Sequence, residues 1–159
     1  MMTAPQHSND EIRQAFARRV PEVASGVLEF RKIARVPGRM TYVAVAAPAS
    51  VQDPIGLLVG TRGVHIKAVV ADLGGELVNL VRWAAEPTKF IGHALGLTRA
   101  GLPFQPSYRF ETSQRHVYVT VDRNTEAYFV SGEGLRLRLV SELVGWSITL
   151  LSHDKPPDA

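Results

Sequence analysis

The sequence predicts an α+β protein in which one small α/β unit, a three-stranded sheet covered by helices, occurs twice. Three observations carry that reading. Apolar and polar residues alternate in paired segments joined by turn residues: "VLEFRKIARV" and "MTYVAVAA" across "PGR", then "SYRFET" and "HVYVTVD" across "SQR". This is the pattern of half-buried β-hairpins. Each pair is followed by two helical segments that meet at a glycine-rich corner, then by a last apolar strand. Gly134 in the second corner follows Gly63 in the first by 71 residues (134 − 63), so a repeat accounts for nearly all of the chain.

The elements follow in order. "NDEIRQAFARRV" sets Ile12, Ala15, Phe16 and Val20 at helical spacing behind a cap at Asn9 or Asp10, and residues 1–19 read as an N-terminal helical extension. The first unit spans 20–84. After its hairpin, Asp53-Pro54 combines an N-cap residue with proline at the first helical position. A short helix from Ile55 to Val59 runs into Gly60, and a second from Gly63 to about Leu73 carries Val64, Ile66, Val69, Val70 and Leu73 as its stripe. Gly74-Gly75 stops it before the strand "ELVNLVRW". The second unit spans 85–152. It opens with the helix "PTKFIGHALG" after Glu86-Pro87, then repeats the hairpin. Asn124 can cap the short helix "TEAYFV", and "SGEG", "LRLRLVSELVG" and the strand "WSITLL" complete the copy. The polar, proline-rich residues 153–159 read as a flexible tail.

Bulk composition narrows the function classes. With 45% hydrophobic and 21% charged residues among 159, the chain can pack a core and does not read as disordered. Cysteine is absent, which removes disulfides, thiolate metal sites and thiol nucleophiles. No continuous apolar run reaches the ~18 residues of a membrane span, and "MMTAPQHSND" lacks the order of a signal peptide. A cytoplasmic protein with no membrane association is expected. Net charge is only +3, but Arg13, Arg18, Arg19, Arg31, Lys32, Arg35 and Arg39 face just Glu22 and Glu29 between residues 13 and 39. Such a run is either a solvated face or a footprint for a polyanion. The histidines show no i,i+3 or i,i+4 pairs, and neither a Gly-x-Ser-x-Gly elbow nor a nucleotide phosphate loop occurs. No enzyme activity, metal or cofactor is expected.

The candidate site is the corner Gly60-Thr61-Arg62-Gly63 with His65, Ile66 and Lys67 on the helix beyond it. A bare Gly-x-x-Gly is uninformative in a chain with 13 glycines, but its place between two helices is not. Glycines there expose backbone N–H groups at the start of the second helix, where the dipole favours an anion, and they admit a sugar-phosphate backbone to contact distance. Arg62 supplies a charge-assisted phosphate contact, and Ile66 an apolar surface for a base. The bland alternative is a helix C-cap at Gly60 and a turn at Gly63, with His65 and Lys67 as ordinary surface residues.

At these residues the sequence resembles the paired KH domains of the NusA family of transcription factors. The segments that match are "VPEVASGVLEFRKIARVPGR", "DPIGLLVGTRG", "ADLGGELVNLVRW", "EPTKFIGHALG" and "LRLVSELVGWSITLL", in that order from about Ile12 to Leu151. The resemblance implies two tandem type II KH domains, each with a helix–GxxG–helix loop, and binding of single-stranded RNA such as a nascent transcript. It implies a role in transcription elongation, termination or antitermination, with RNA polymerase or other transcription factors as possible protein partners; a monomer is expected. Residues before Val20 are too few for the family's polymerase-binding and OB-type domains, so a layout like the short archaeal relatives is expected. His65 stands where the family commonly has arginine. In the second loop Ser131 replaces the first glycine, and Glu133 brings a carboxylate where phosphate would sit. Gly132, Gly134, Arg136 and Arg138 complete the RNA-binding set, with the second clamp expected to be the weaker. Two alternatives stay open: an adaptor that docks protein through the second loop and outward-facing aromatics among Tyr108, Tyr118, Tyr128 and Phe129, and a binder of ribosomal or other structured RNA.

Overall fold

The computed structural model describes residues 5–152, with side chains from residue 9; the expected tail at 153–159 lies outside the described residues. The chain divides into two compact units, residues 1–83 and 84–159. The first contains α1 (Pro5–Ala17), α2 (Pro21–Ala24), β1 (Glu29–Val36), β2 (Met40–Ala46), α3 (Pro54–Val59), α4 (Val64–Asp72) and β3 (Leu77–Arg82). The second contains α5 (Pro87–Ala94), β4 (Ser107–Glu111), β5 (His116–Val121), α6 (Arg123–Val130), α7 (Leu135–Val144) and β6 (Ser147–Ser152). Each sheet has three strands in sequence order, an antiparallel hairpin followed by a parallel third strand. A parallel third strand needs a crossover, and the helix pair with its corner supplies it.

Two local readings change. α1 begins at Pro5, so Asn9 and Asp10 lie inside the helix and do not cap it. α6 is capped by Asp122, whose carboxylate accepts a 2.9 Å hydrogen bond from the Thr125 N–H, and Asn124 is its second residue. Asp53 caps α3 as its sequence suggests, accepting from the Gly56 N–H at 2.9 Å. Residues 54–72 are apolar enough, and at 19 residues long enough, to cross a membrane by composition. The corner breaks them into helices of 6 and 9 residues, each far short of the ~20 that a span needs.

In the first unit α1 is part of the core. Ile12, Ala15 and Phe16 are buried with Val20, Val23, Leu28, Val43, Val45, Leu58 and Val69, and the Phe16 ring meets Phe30 edge-on at 5.6 Å. Beside this apolar cluster lies a buried carboxylate. Glu76, the residue after the Gly74-Gly75 stop, is 0% exposed. Arg35 Nε and Nη2 each donate to it at 2.8 Å, the Gly38 N–H donates at 2.9 Å, and the Thr41 hydroxyl donates to its Oε2. Arg35 Nη2 also reaches Glu11 of α1 at 2.7 Å. Burial alone drives the Glu76 carboxyl upward. The hydrogen bonds from Arg35, Thr41 and Gly38, with the Arg35 charge, outweigh it and hold the group below the ordinary carboxylate range.

The second unit solves the same position differently. Leu77 N–H donates to the Arg39 carbonyl, and Ser147 N–H donates to the Arg115 carbonyl. With the strand registers, these equate Arg35, Thr41 and Glu76 with Phe110, Val117 and Trp146. Phe110 and Trp146 pack edge to face at 5.0 Å, and the Arg115 guanidinium stacks on Trp146 at 4.6 Å. An apolar trio thus replaces a salt-bridged one.

Glu76→Gln is expected to cost about 3 kcal/mol, because it leaves the buried Arg35 charge with only the half-exposed Glu11 as counter-ion. The pH dependence follows from the lowered carboxyl. Its contribution is complete above the unfolded carboxyl pKa of ~4.3 and is lost as pH falls through the lower folded value. Denaturant unfolding from neutral to acid pH should therefore show a steeper acid loss in the unaltered protein than in the variant; equal acid slopes would mean that this pair is not the source.

Candidate nucleic-acid interface

α3 ends at Val59, and its direction must change before α4 begins at Val64. Gly60 makes the first part of that change with φ 78° and ψ 166°, a region of backbone space open essentially to glycine alone. A single turn of 3-10 helix, Thr61–Gly63, follows, with Arg62 at φ 56° and Gly63 at φ 74°, both left-handed. The Gly63 N–H donates to the Gly60 carbonyl at 2.9 Å and closes the corner. Thr61 and Arg62 stand exposed at its tip.

The side chains that follow fold back over the two glycines. A Cβ on Gly60 would lie 2.8 Å from both Cγ and Nδ1 of the His65 ring, so the imidazole occupies the space that glycine leaves. His65 Nδ1 lies 3.1 Å from the Leu57 carbonyl near the end of α3. Over Gly63, Lys67 Cε and Ile66 Cγ2 lie 3.4 and 3.8 Å from the place of a Cβ. The fold therefore gathers all seven first-loop candidates, Gly60 through Gly63 with His65, Ile66 and Lys67, around one corner. His65 is not an ordinary surface residue: it is half-buried and braces the loop. Two further residues join them: Leu57, 37% exposed, and Val64, which the helical spacing placed in the apolar stripe but which is 56% exposed.

The second corner has the same exit and a different entrance. Glu133 (φ 64°, ψ 19°) and Gly134 (φ 70°, ψ 23°) reproduce the backbone of Arg62 and Gly63, so a carboxylate occupies the place of the guanidinium. Ser131 has φ −68°, which any residue adopts, and the left-handed step moves to Gly132 at φ 61°. That explains the loss of the first glycine: the backbone there does not need one. Arg136, in the position of His65, lays its guanidinium on the Tyr128 ring at 4.4 Å. Arg138 is exposed one helical step further on. Of the four aromatics considered for outward display, Phe129 is buried, Tyr108 and Tyr118 are half-buried, and Tyr128 is 51% exposed.

Five of the seven basic residues between 13 and 39 have partners within the first unit, while Lys32 and Arg39 stand exposed. Arg13 donates to the Val23 carbonyl, Arg18 and Arg19 pair with Asp72, Arg31 pairs with Glu29 and lies over Trp83, and Arg35 is committed to Glu76. Only Arg35 among them is buried in its ion pair; the others are partly or largely exposed. The cations beside the corner, Arg62 and Lys67, point to solvent.

Gly60→Ala is expected to destabilise the protein by about 2–4 kcal/mol, from backbone strain and from displacement of the His65 ring. Ser131→Gly at the matching position should stay within about 1 kcal/mol. Thermal unfolding of the two variants side by side checks this; equal losses would contradict the different backbone requirements of the two entrances.

Comparison with known proteins adds the family context. Residues 6–83 match the NusA-like first KH domain family. Across 130 residues the chain is 38% identical to the transcription termination/antitermination protein NusA of Thermus thermophilus, a match covering 81% of this chain and 32% of that protein. Across 151 residues it is 30% identical to NusA of Rickettsia conorii, covering 92% and 29% respectively. The chain thus spans about a third of the length of these curated relatives. The solved structure of APE1850 superposes with a TM-score of 0.57 at 16% identity, covering 88% of this chain and 96% of that one, a likeness of fold.

Proposed function

We propose that this chain, which belongs with the KH region of the NusA proteins and matches the NusA-like first KH domain over residues 6–83, binds single-stranded RNA through the first corner. We propose further that it does so as a transcription termination or antitermination factor. The observation that carries the reading is the corner itself. A glycine-only entrance, left-handed Arg62 and Gly63 and the start of α4 form one surface whose exposed charges are both positive. Amide N–H groups at a helix N-terminus attract phosphate, Arg62 adds a charge-assisted donor, and Lys67 adds a second cation beside the same strand. Leu57, Val64 and Ile66 offer apolar area to unstacked bases.

The second corner is the weaker partner in this reading. Glu133 repels phosphate from the place where Arg62 would attract it, and Arg136 has its guanidinium spent on Tyr128. A protein-docking role for this corner is the second reading, favoured by Tyr128 and Val130, 51% and 46% exposed beside the altered loop.

Arg62→Asp with Gly63→Asp should reduce affinity for a single-stranded RNA at moderate salt by about tenfold or more, since it replaces a charge-assisted contact with repulsion. Arg62→Ala should lower the slope of log affinity against log salt by about 0.7, the loss of one phosphate contact on a single strand. Glu133→Arg should raise affinity several-fold. Titration by fluorescence anisotropy measures all three; unchanged affinity in the double-aspartate protein would end the clamp reading.

A further inference from the structure

We infer that His65 gives the first corner a hydrogen-bond acceptor that reads a donor on the bound nucleotide, the ribose 2′-hydroxyl or a base N–H. The inference rests on the RNA-binding reading above and goes beyond it, because a clamp made of amide N–H groups, arginine and lysine holds phosphate without regard to sugar or base.

The chemistry follows from one contact. His65 Nδ1 lies 3.1 Å from the carbonyl oxygen of Leu57. A carbonyl only accepts, so Nδ1 carries the hydrogen. In the neutral ring the second nitrogen, Nε2, then holds a lone pair and accepts. Contact with Gly60 fixes the ring from the other side: an added Cβ would meet Cγ and Nδ1 at 2.8 Å, so the inner edge of the imidazole is held against the corner. Among the described residues Nε2 has no hydrogen-bond partner. Of the other groups beside it, the exposed Arg62 and Lys67 side chains only donate, the Val64 N–H is taken by the Thr61 carbonyl, and the Thr61 hydroxyl rotates freely between donating and accepting. One fixed acceptor among donors distinguishes RNA from DNA where it meets a 2′-hydroxyl, since that hydroxyl is what a protein uses to tell the two apart. The matching position of the second unit holds Arg136, which has only donors to give and is stacked on Tyr128, so that corner lacks the reader. The same substitution in the first corner, His65→Arg, removes the acceptor while adding charge.

The test measures affinities of the full chain for one short single strand, made as RNA, as DNA and as 2′-fluoro RNA. The last keeps the sugar shape and removes the donor. All measurements are made at one pH, about 8. If the 2′-hydroxyl is the donor, DNA and 2′-fluoro RNA should both bind about five- to tenfold more weakly than RNA. His65→Arg should bind all three at least as tightly as the unaltered protein binds DNA, with the preference collapsed toward one. If a base N–H is the donor, the preference appears instead across homopolymers that differ in base, and it collapses in the same variant. His65→Gln, which can present a carbonyl oxygen, should recover part of whichever preference is found. A preference that survives His65→Arg unchanged overturns the inference and leaves the clamp reading intact. Failure of the unaltered protein to bind any strand overturns both, whereas loss of binding on changing Arg62 with the preference untouched by His65 counts against this inference alone.

Discussion

The first unit is organised around one buried charge. Glu76 follows directly on the turn that ends α4, and its carboxylate collects donors from β1, from the β1–β2 turn and from β2. Through Arg35 it is tied to Glu11 of α1 as well. A carboxylate removed from water is tolerated only when its lone pairs are met, so every element supplying a donor is held in register by that requirement. The far end of α4 is fixed in this way, and with it the direction in which the helix presents its first turn. Asp72 adds a weaker tie there through Arg18 and Arg19, partly exposed pairs of small energetic weight.

The second unit shows that the fold does not require the charge. Phe110, Val117 and Trp146 fill the equivalent places with apolar volume. Such a replacement is often neutral or favourable; what differs is how the two solutions fail. An apolar trio loses packing gradually, whereas the ionic cluster is undone by the loss of a single partner. The two corners diverge by the same logic. Their exit backbones agree, so geometry is retained, while Arg62 and Glu133 reverse the charge at the tip. The repeat preserves shape and leaves chemistry free to differ.

Much of the fold was legible in the sequence because it depends on local chemistry. Alternation gave the hairpins, proline and aspartate the start of α3, and paired glycines the corner and the end of α4. The misreadings have physical causes. Asp122 and Asn124 are both good caps, and only the chain direction leaving β5 decides between them. For the basic residues between 13 and 39 a solvated face and a footprint both stayed open, because a sequence shows charges without their partners, which lie up to 54 positions away, as for Arg18 and Asp72. For His65 the sequence left a site residue and an ordinary surface residue both open, because the backbone that it covers, at Gly60, has no side chain to betray the contact.

By itself the sequence determined the order of the elements, the repeat, and the position of a glycine corner able to approach a phosphate, since each follows from short-range propensity and spacing. Only the tertiary structure decided that Arg35 and Glu76 are internal rather than available. It also decided that Gly60 is required where Ser131 suffices, and that His65 turns one nitrogen inward against the Leu57 carbonyl. These are relations between residues distant in sequence or hidden in backbone torsion, and they exist only once burial has fixed which groups must satisfy one another.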